Sequence, residues 1–149
     1  MIRTITRDDV PQCIELGRRQ HAESKLNYLN LDIEKIKYGF LSAVDHPTRR
    51  VFVIDVDGKI VGLAGVSLEH YEYNYDYYVM DHFYYILPEH RKGLLAFKLF
   101  KAVHRWGVEN RALEIQFNYA HGDENDRMGK LLNKLGYKKY CDQYKKLMI

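Results

Sequence analysis

Tyr84-Tyr85-Ile86-Leu87-Pro88-Glu89-His90-Arg91-Lys92-Gly93-Leu94-Leu95-Ala96 is the stretch on which the reading of this chain turns. An aromatic, β-branched run stops at a proline, crosses a short polar turn with one glycine, and enters a helical pattern at once. That helix has Leu94, Leu95, Phe97, Leu99, Phe100, Val103 and Trp106 along one wide apolar face up to Gly107. The first turn of any helix has unpaired N–H groups and a partial positive charge, which suit an anion. Gly93 lets such an anion approach the backbone, and Arg91 and Lys92 add charge beside it. The same pattern also fits a plain strand-to-helix connection.

Working outward, the sequence before this stretch reads as strands and two helices. Ile2 and Ile5 mark a short opening strand. Asp8 or Asp9 can cap a helix with Val10 and Pro11 in its first turn and Ile14 and Leu16 inside. Asp32 to Ala43 predicts a second helix, broken by Asp45-His46-Pro47. Arg50 to Val56 and Ile60 to Leu68 read as strands joined by a tight Asp57-Gly58 hairpin, and a third strand runs from Tyr77 to Leu87. Downstream, Leu113 to Phe117 alternates as a strand. Met128, Leu131, Leu132 and Leu135 recur at helical spacing until Gly136. Tyr137 to Tyr140 and Tyr144 to Met148 complete the pattern as two closing strands. The expected order is β-α-α-β-β-β-α-β-α-β-β, a mixed α/β (α+β) domain around one sheet.

Composition bounds the function. The chain has 149 residues, 46% hydrophobic and 29% charged, with 3 Pro and 10 Gly, enough for one domain spanning 1–149 and unlike a disordered or fibrous chain. The longest apolar runs, such as Ile60 to Val66, are too short for a transmembrane helix, and the first residues lack a signal-peptide core. Cys13 and Cys141 make no framework, so a reduced, cytoplasmic setting is expected. No metal is expected, since His21, His46, His104 and His121 lack ligand spacing. Met1 to Tyr85 has 10 Lys/Arg against 13 Asp/Glu, whereas Ile86 to Ile149 has 13 against 7. No basic residue falls between Lys59 and Arg91, where Glu69, Glu72, Asp76 and Asp81 lie. An acidic half beside a basic half suits a protein that holds a cation next to a polyanion. It is also compatible with an ordinary solvated surface.

The Ile86-x-Pro88-x-x-Arg91 run, followed by Lys92-Gly93 and a helix, resembles the acetyl-CoA site of the GCN5-related N-acetyltransferases (GNAT). A second segment, Asn125 to Tyr137, is similar to that family's last helix and strand, keeping Asn125, Leu131, Lys134 and Gly136 in register. The resemblance covers essentially the whole chain and implies a GNAT-like, mostly antiparallel mixed sheet flanked by helices. It implies acetyl-CoA as co-substrate, bound by the main chain of Tyr85, Ile86 and Leu87, by the turn Arg91, Lys92, Gly93, Leu94, Leu95 and Ala96, and by Asn125. It implies direct attack by a primary amine on the thioester, in a complex of both substrates. Two departures stand out. Leu95 is bulky at a position the family keeps small, and Leu132 replaces a frequent tyrosine that protonates the leaving thiolate.

An amine acceptor needs a base. Asp81 is the first candidate and His82 the second, on opposite faces of a regular strand so that at most one faces the cleft, followed by Glu69 or His70 on the strand before. Tyr140 or Tyr144 could stand in for the missing proton donor. Glu69, Tyr71, Tyr73 and Asp76 belong to a tyrosine-and-acid stretch that reads as a wall for a cationic amine, or as a contact with a second copy of the chain in a homodimer. Two other functions fit the sequence: a GNAT-like module that binds coenzyme A or a partner without turnover, and, less well, a nucleic-acid-binding face built from Lys134, Lys138, Lys139, Lys145 and Lys146.

Overall fold

The computed structural model describes residues 1–118 and 126–148. Five strands form one sheet in the order β1-β2-β3-β4-β5: β1 (Ile2–Thr4), β2 (Arg49–Val56), β3 (Lys59–His70), β4 (Tyr77–Ile86) and β5 (Ile115–Gln116). The first four are antiparallel neighbours, and β5 runs parallel to β4. The four helices are α1 (Val10–Glu23), α2 (Ile33–Ala43), α3 (Leu95–Glu109) and α4 (Arg127–Lys134). The α+β class and the mixed, mostly antiparallel sheet match the sequence reading.

Local chemistry explains the boundaries. Pro11 sits in the first turn of α1, where its missing N–H costs nothing. The Asp32 carboxylate accepts from the Lys35 N–H at 3.1 Å and caps α2. Asp57 and Gly58 both take positive φ at the β2–β3 turn, the geometry of a tight hairpin. Gly136, at φ +90°, follows α4 where the sequence places the helix end. Central strand β3 is buried from Ile60 to Leu68, on both faces. One face packs on α1 and α2 through Cys13, Leu16 and Phe40, and the other on α3 through Leu99, Val103 and Trp106.

The two closing strands are corrected. Tyr137–Tyr140 and Tyr144–Met148 carry no strand pairing, and residues 138–148 are exposed. The expected Leu113–Phe117 strand pairs only over Ile115–Gln116, so β5 offers too short a ladder to recruit another strand. Four lysines in the closing segment also favour solvent over a sheet edge.

Candidate active site

The middle of β4 is irregular, and that irregularity builds the site. Asp81 pairs with Val66 and Phe83 with Gly65, which leaves His82 without a partner in the register. Such a bulge adds a residue to one strand and re-aims its side chains. Gly65 makes room for it, because a Cβ there would run into the Phe83 ring. Phe83 in turn meets Phe40 of α2 edge-on, with ring centroids 5.5 Å apart.

Just beyond this bulge, β4 loses its other neighbour. The β4–β5 ladder registers only Val79 with Ile115 and Met80 with Gln116. Asp81 closes it, its Oδ1 accepting from the Asn118 backbone N–H at 2.7 Å. From His82 to Ile86 no described strand pairs with β4 on that side. At the far end of this open edge the chain turns at Pro88 and enters α3. Gly93 has φ +103° with open space around its Cβ position, and no side chain caps α3. Lys98 makes the first helical bond, to the Leu94 carbonyl, so the N–H groups of Leu95, Ala96 and Phe97 are uncommitted within the helix. Leu95 and Ala96 pack on the core, so the Leu95 side chain turns inward instead of filling the turn.

Asp81 and His82 face opposite sides of the sheet, as alternation predicts. Asp81 is buried in a small apolar cavity with Val66, Leu99, Val103, Phe117 and Tyr137. Burial pushes its carboxyl up to about 6, against the lowering effect of the Asn118 hydrogen bonds. Tyr137 is pushed up to about 12, by burial first and by Asp81 second. His82 is exposed on the other side. Its Nε2 lies 2.7 Å from the Ser67 Oγ, and that hydroxyl donates to Glu69 Oε1 at 2.8 Å. Burial of part of the ring and the neighbouring Arg49 cation hold the imidazole below its ordinary value, while Glu69 acts in the opposite direction.

A third cluster joins α1 to the turn. Arg91 Nε donates to the Ile86 carbonyl at 2.7 Å, and its NH2 donates to Glu23 Oε2 at 2.7 Å. The Tyr85 hydroxyl donates to Glu23 Oε1 at 2.5 Å, and the Arg91 guanidinium lies 5.2 Å from the Tyr85 ring centroid. Leu87 gives its N–H to the Val61 carbonyl in β3. By alternation the outward main-chain groups belong to Tyr84 and Ile86, whose carbonyls accept from Gln20 and Arg91 side chains. Of Tyr85, Ile86 and Leu87, only Ile86 therefore turns its main chain to the open edge.

The model of the acetyltransferase (GNAT) family matches residues 11–137. The chain belongs to the GNAT acetyltransferases. At the level of sequence, no curated protein matches it. In fold it is similar to the aminoglycoside N-acetyltransferase AAC(6')-Iy in complex with a bisubstrate analogue, at TM-score 0.78 and 20% identity over 99% of this chain and 97% of that one. It is also similar to a tetramutant of the BH1408 protein from Bacillus halodurans (TM-score 0.81, 17% identity, 99% of each chain). A possible acetyltransferase from Clostridium difficile 630 gives 0.76 and 16%, over 100% and 97%.

Within this GNAT chain the remaining candidates divide. Asn125 lies outside the described residues. Lys92 and Leu94 stand exposed at the turn. Glu69 joins His82 through Ser67, but Tyr71, Tyr73 and Asp76 lie in the β3–β4 connection, at the opposite end of β4 from Pro88. Tyr71 stacks obliquely near Tyr78 with centroids 4.9 Å apart, Asp76 is bonded to Asn74, and Tyr73 is 96% exposed. They form the hairpin connection, at the end of the sheet away from the α3 turn. Tyr140 is 86% exposed and distant in kind from the half-buried Tyr137, which does share a cavity with Asp81. Among the described residues, no group of three His, Cys, Asp or Glu could hold a metal, and no helix is long and apolar enough to cross a membrane. Ser67 and Glu23 were missed by sequence reasoning. Ser67 had a faint signal, as a lone hydroxyl in an otherwise apolar strand. Glu23 had none, since its partners lie more than 60 positions away.

Proposed function

We propose that this protein is an acetyl-CoA-dependent N-acetyltransferase acting on primary amines by direct transfer. The observation that carries the reading is the open β4 edge running from the His82 bulge to the uncapped α3 N-terminus at Gly93. From Ile86 to His82 is four residues, about 13 Å of extended chain. An extended pantetheine arm fits such a groove, with its pyrophosphate on the Leu95, Ala96 and Phe97 N–H groups and beside Lys92. When bound, acetyl-CoA supplies the activated acetyl thioester.

The residues of the chain account for the rest. The bulge holds the reacting end of the groove open, and Asp81 stops β5 from closing it by taking the Asn118 N–H in place of a strand carbonyl. Arg91, tied to Ile86 and Glu23, fixes the strand end relative to the turn. An amine is mostly protonated at neutral pH, so a base must sit where the groove opens. His82 meets that requirement better than Asp81, which is buried and already bonded. The acidic run without Lys or Arg between Lys59 and Arg91 favours a cationic acceptor. The fold likeness to aminoglycoside acetyltransferases places aminoglycosides in the panel of amines to be tried, with polyamines and peptide N-termini.

A thermal-shift titration with acetyl-CoA tests the reading, followed by thiol release from acetyl-CoA across that amine panel. Saturable stabilisation with amine-dependent thiol release supports it. Stabilisation without release by any amine would leave a binding module, and no stabilisation would remove the cofactor site.

A further inference from the structure

Two hydrogen bonds on the α1/α2 side of the sheet fix a chemical choice that the sequence leaves open. A neutral histidine carries its proton on one ring nitrogen and a lone pair on the other, and its neighbours select which. Here Ser67 Oγ stands between Glu69 Oε1 and His82 Nε2, at 2.8 and 2.7 Å. Ser67 is buried, so water is a poor substitute for either contact. A carboxylate at Glu69 has no proton to give, so the serine donates its only proton to Glu69. The serine oxygen must then accept from His82, and Nε2 is the protonated nitrogen. Nδ1 keeps the lone pair, and no described residue bonds to it.

We infer that Ser67 and Glu69 are positioning residues that set His82 as the base of the reaction, with Nδ1 facing the acceptor amine on the α1/α2 side of the sheet. The inference rests on the proposed transferase reading and adds to it the acting atom and the side of approach. The ammonium gives one proton to Nδ1. The amine nitrogen, losing a second proton after it bonds to the acetyl carbon, yields the amide as the carbon–sulfur bond breaks. The sulfur leaves with the electron pair and takes up one of the two protons, the other passing to water. While His82 is cationic, Nε2–H stays bonded to Ser67, and Glu69 faces the new charge through that serine. Arg49 from β2 and Glu69 from β3 are the charged groups that act on the ring, with opposite signs. Partial burial and Arg49 favour the neutral base, and Glu69 offsets the cost of charging it.

Nitrogen-15 NMR of histidine-labelled protein, without any substrate, reads the tautomer directly. Above pH 8, the wild type should show protonated Nε2 and unprotonated Nδ1 at His82, assigned by loss of the signal in His82→Gln. Ser67→Ala should shift the resonances toward a mixture of tautomers. The same variant should lower kcat about tenfold with the stabilisation by acetyl-CoA unchanged, and should move the acidic limb of the kcat–pH profile. His82→Gln should lower kcat about 100-fold. A wild-type Nδ1–H tautomer overturns the inference, as does a His82→Gln enzyme that keeps its rate. If the wild type shows the expected tautomer and binds acetyl-CoA but transfers to no amine, the proposed function fails and the base assignment with it. A transferase active with the wrong tautomer fails only the inference. Should His82→Gln unfold, the Ser67→Ala spectrum and pH profile still decide.

Discussion

Adjacent residues on one strand of this molecule meet opposite surroundings. On the α3 side of β4, Asp81 is buried among Val66, Leu99, Val103 and Phe117, and its carboxylate is spent on the Asn118 main chain. On the α1/α2 side, His82 is exposed, has one nitrogen bonded to Ser67 and presents the other. Burial raises the Asp81 carboxyl to about 6 and lowers the His82 imidazole, and both lie at the end of the β4–β5 ladder, so type and position alone do not separate them. Exposure and bonding do. A buried carboxylate with one oxygen bonded to the Asn118 main chain acts as a pin, and an exposed imidazole with a free lone pair can act as a base.

The largest effect that would sharpen this contrast is expected at the β4–α3 turn, the proposed seat of the cofactor. Gly93→Glu places a side chain at φ +103° and a negative charge at the uncapped N-terminus of α3. Stabilisation by acetyl-CoA, about 2.7 kcal/mol at a hundredfold excess over Kd in the wild type, should vanish in calorimetry. Next comes His82→Gln, with kcat for amine acetylation down about 100-fold and cofactor binding unchanged. Glu69→Gln should cost about tenfold in kcat, since an amide can donate to Ser67 and permit the reversed bond direction. The acidic limb of its rate profile should also move to lower pH, because losing the Glu69 charge destabilises the imidazolium.

Asp81 should report through stability. Its carboxyl is raised from 3.8 to about 6 by burial, so the folded chain holds more protons than the unfolded one between those values. Stability then falls as pH rises from about 4 to about 6, and the loss persists above that window. Asp81→Asn removes this slope and should be more stable at pH 7 by about 1–3 kcal/mol in urea unfolding. Asp9 behaves in the opposite sense. Arg3 holds its carboxyl down at about 2, so its contribution is complete above pH 4 and is lost as pH falls through 2. The smallest effect is at Tyr140, where Tyr140→Phe should leave melting temperature and turnover unchanged, because its side chain stands in solvent.

How much was legible in the sequence follows the range of the interactions. Caps, hairpin turns and the apolar stripe of α3 depend on residues a few positions apart, so Asp32, Asp57-Gly58 and Leu99 to Trp106 could be read directly. The β4–α3 turn was legible for the same reason, as a proline, a glycine and a helix start within eight residues. The closing strands were not, because alternation in Tyr137–Tyr140 says nothing about whether a neighbouring strand is long enough to pair. For the proposed base the sequence favoured Asp81 over His82, with Glu69 and His70 behind them, because residue type and strand position were all it offered. Choosing between them required Ser67, 15 positions away, and Asn118, 37 positions away. That Tyr71, Tyr73 and Asp76 lie in a connection at the opposite end of β4 from Pro88 depends on where β3 ends and β4 begins, which composition does not reveal.

The most direct test of this account compares two variants in one assay. Thiol release from acetyl-CoA would be followed with an accepted primary amine at saturating concentrations of both substrates. His82→Gln should lose about 100-fold in kcat while Asp81→Asn retains most of the wild-type rate. A collapse of rate in Asp81→Asn, with His82→Gln left near wild type, would contradict it.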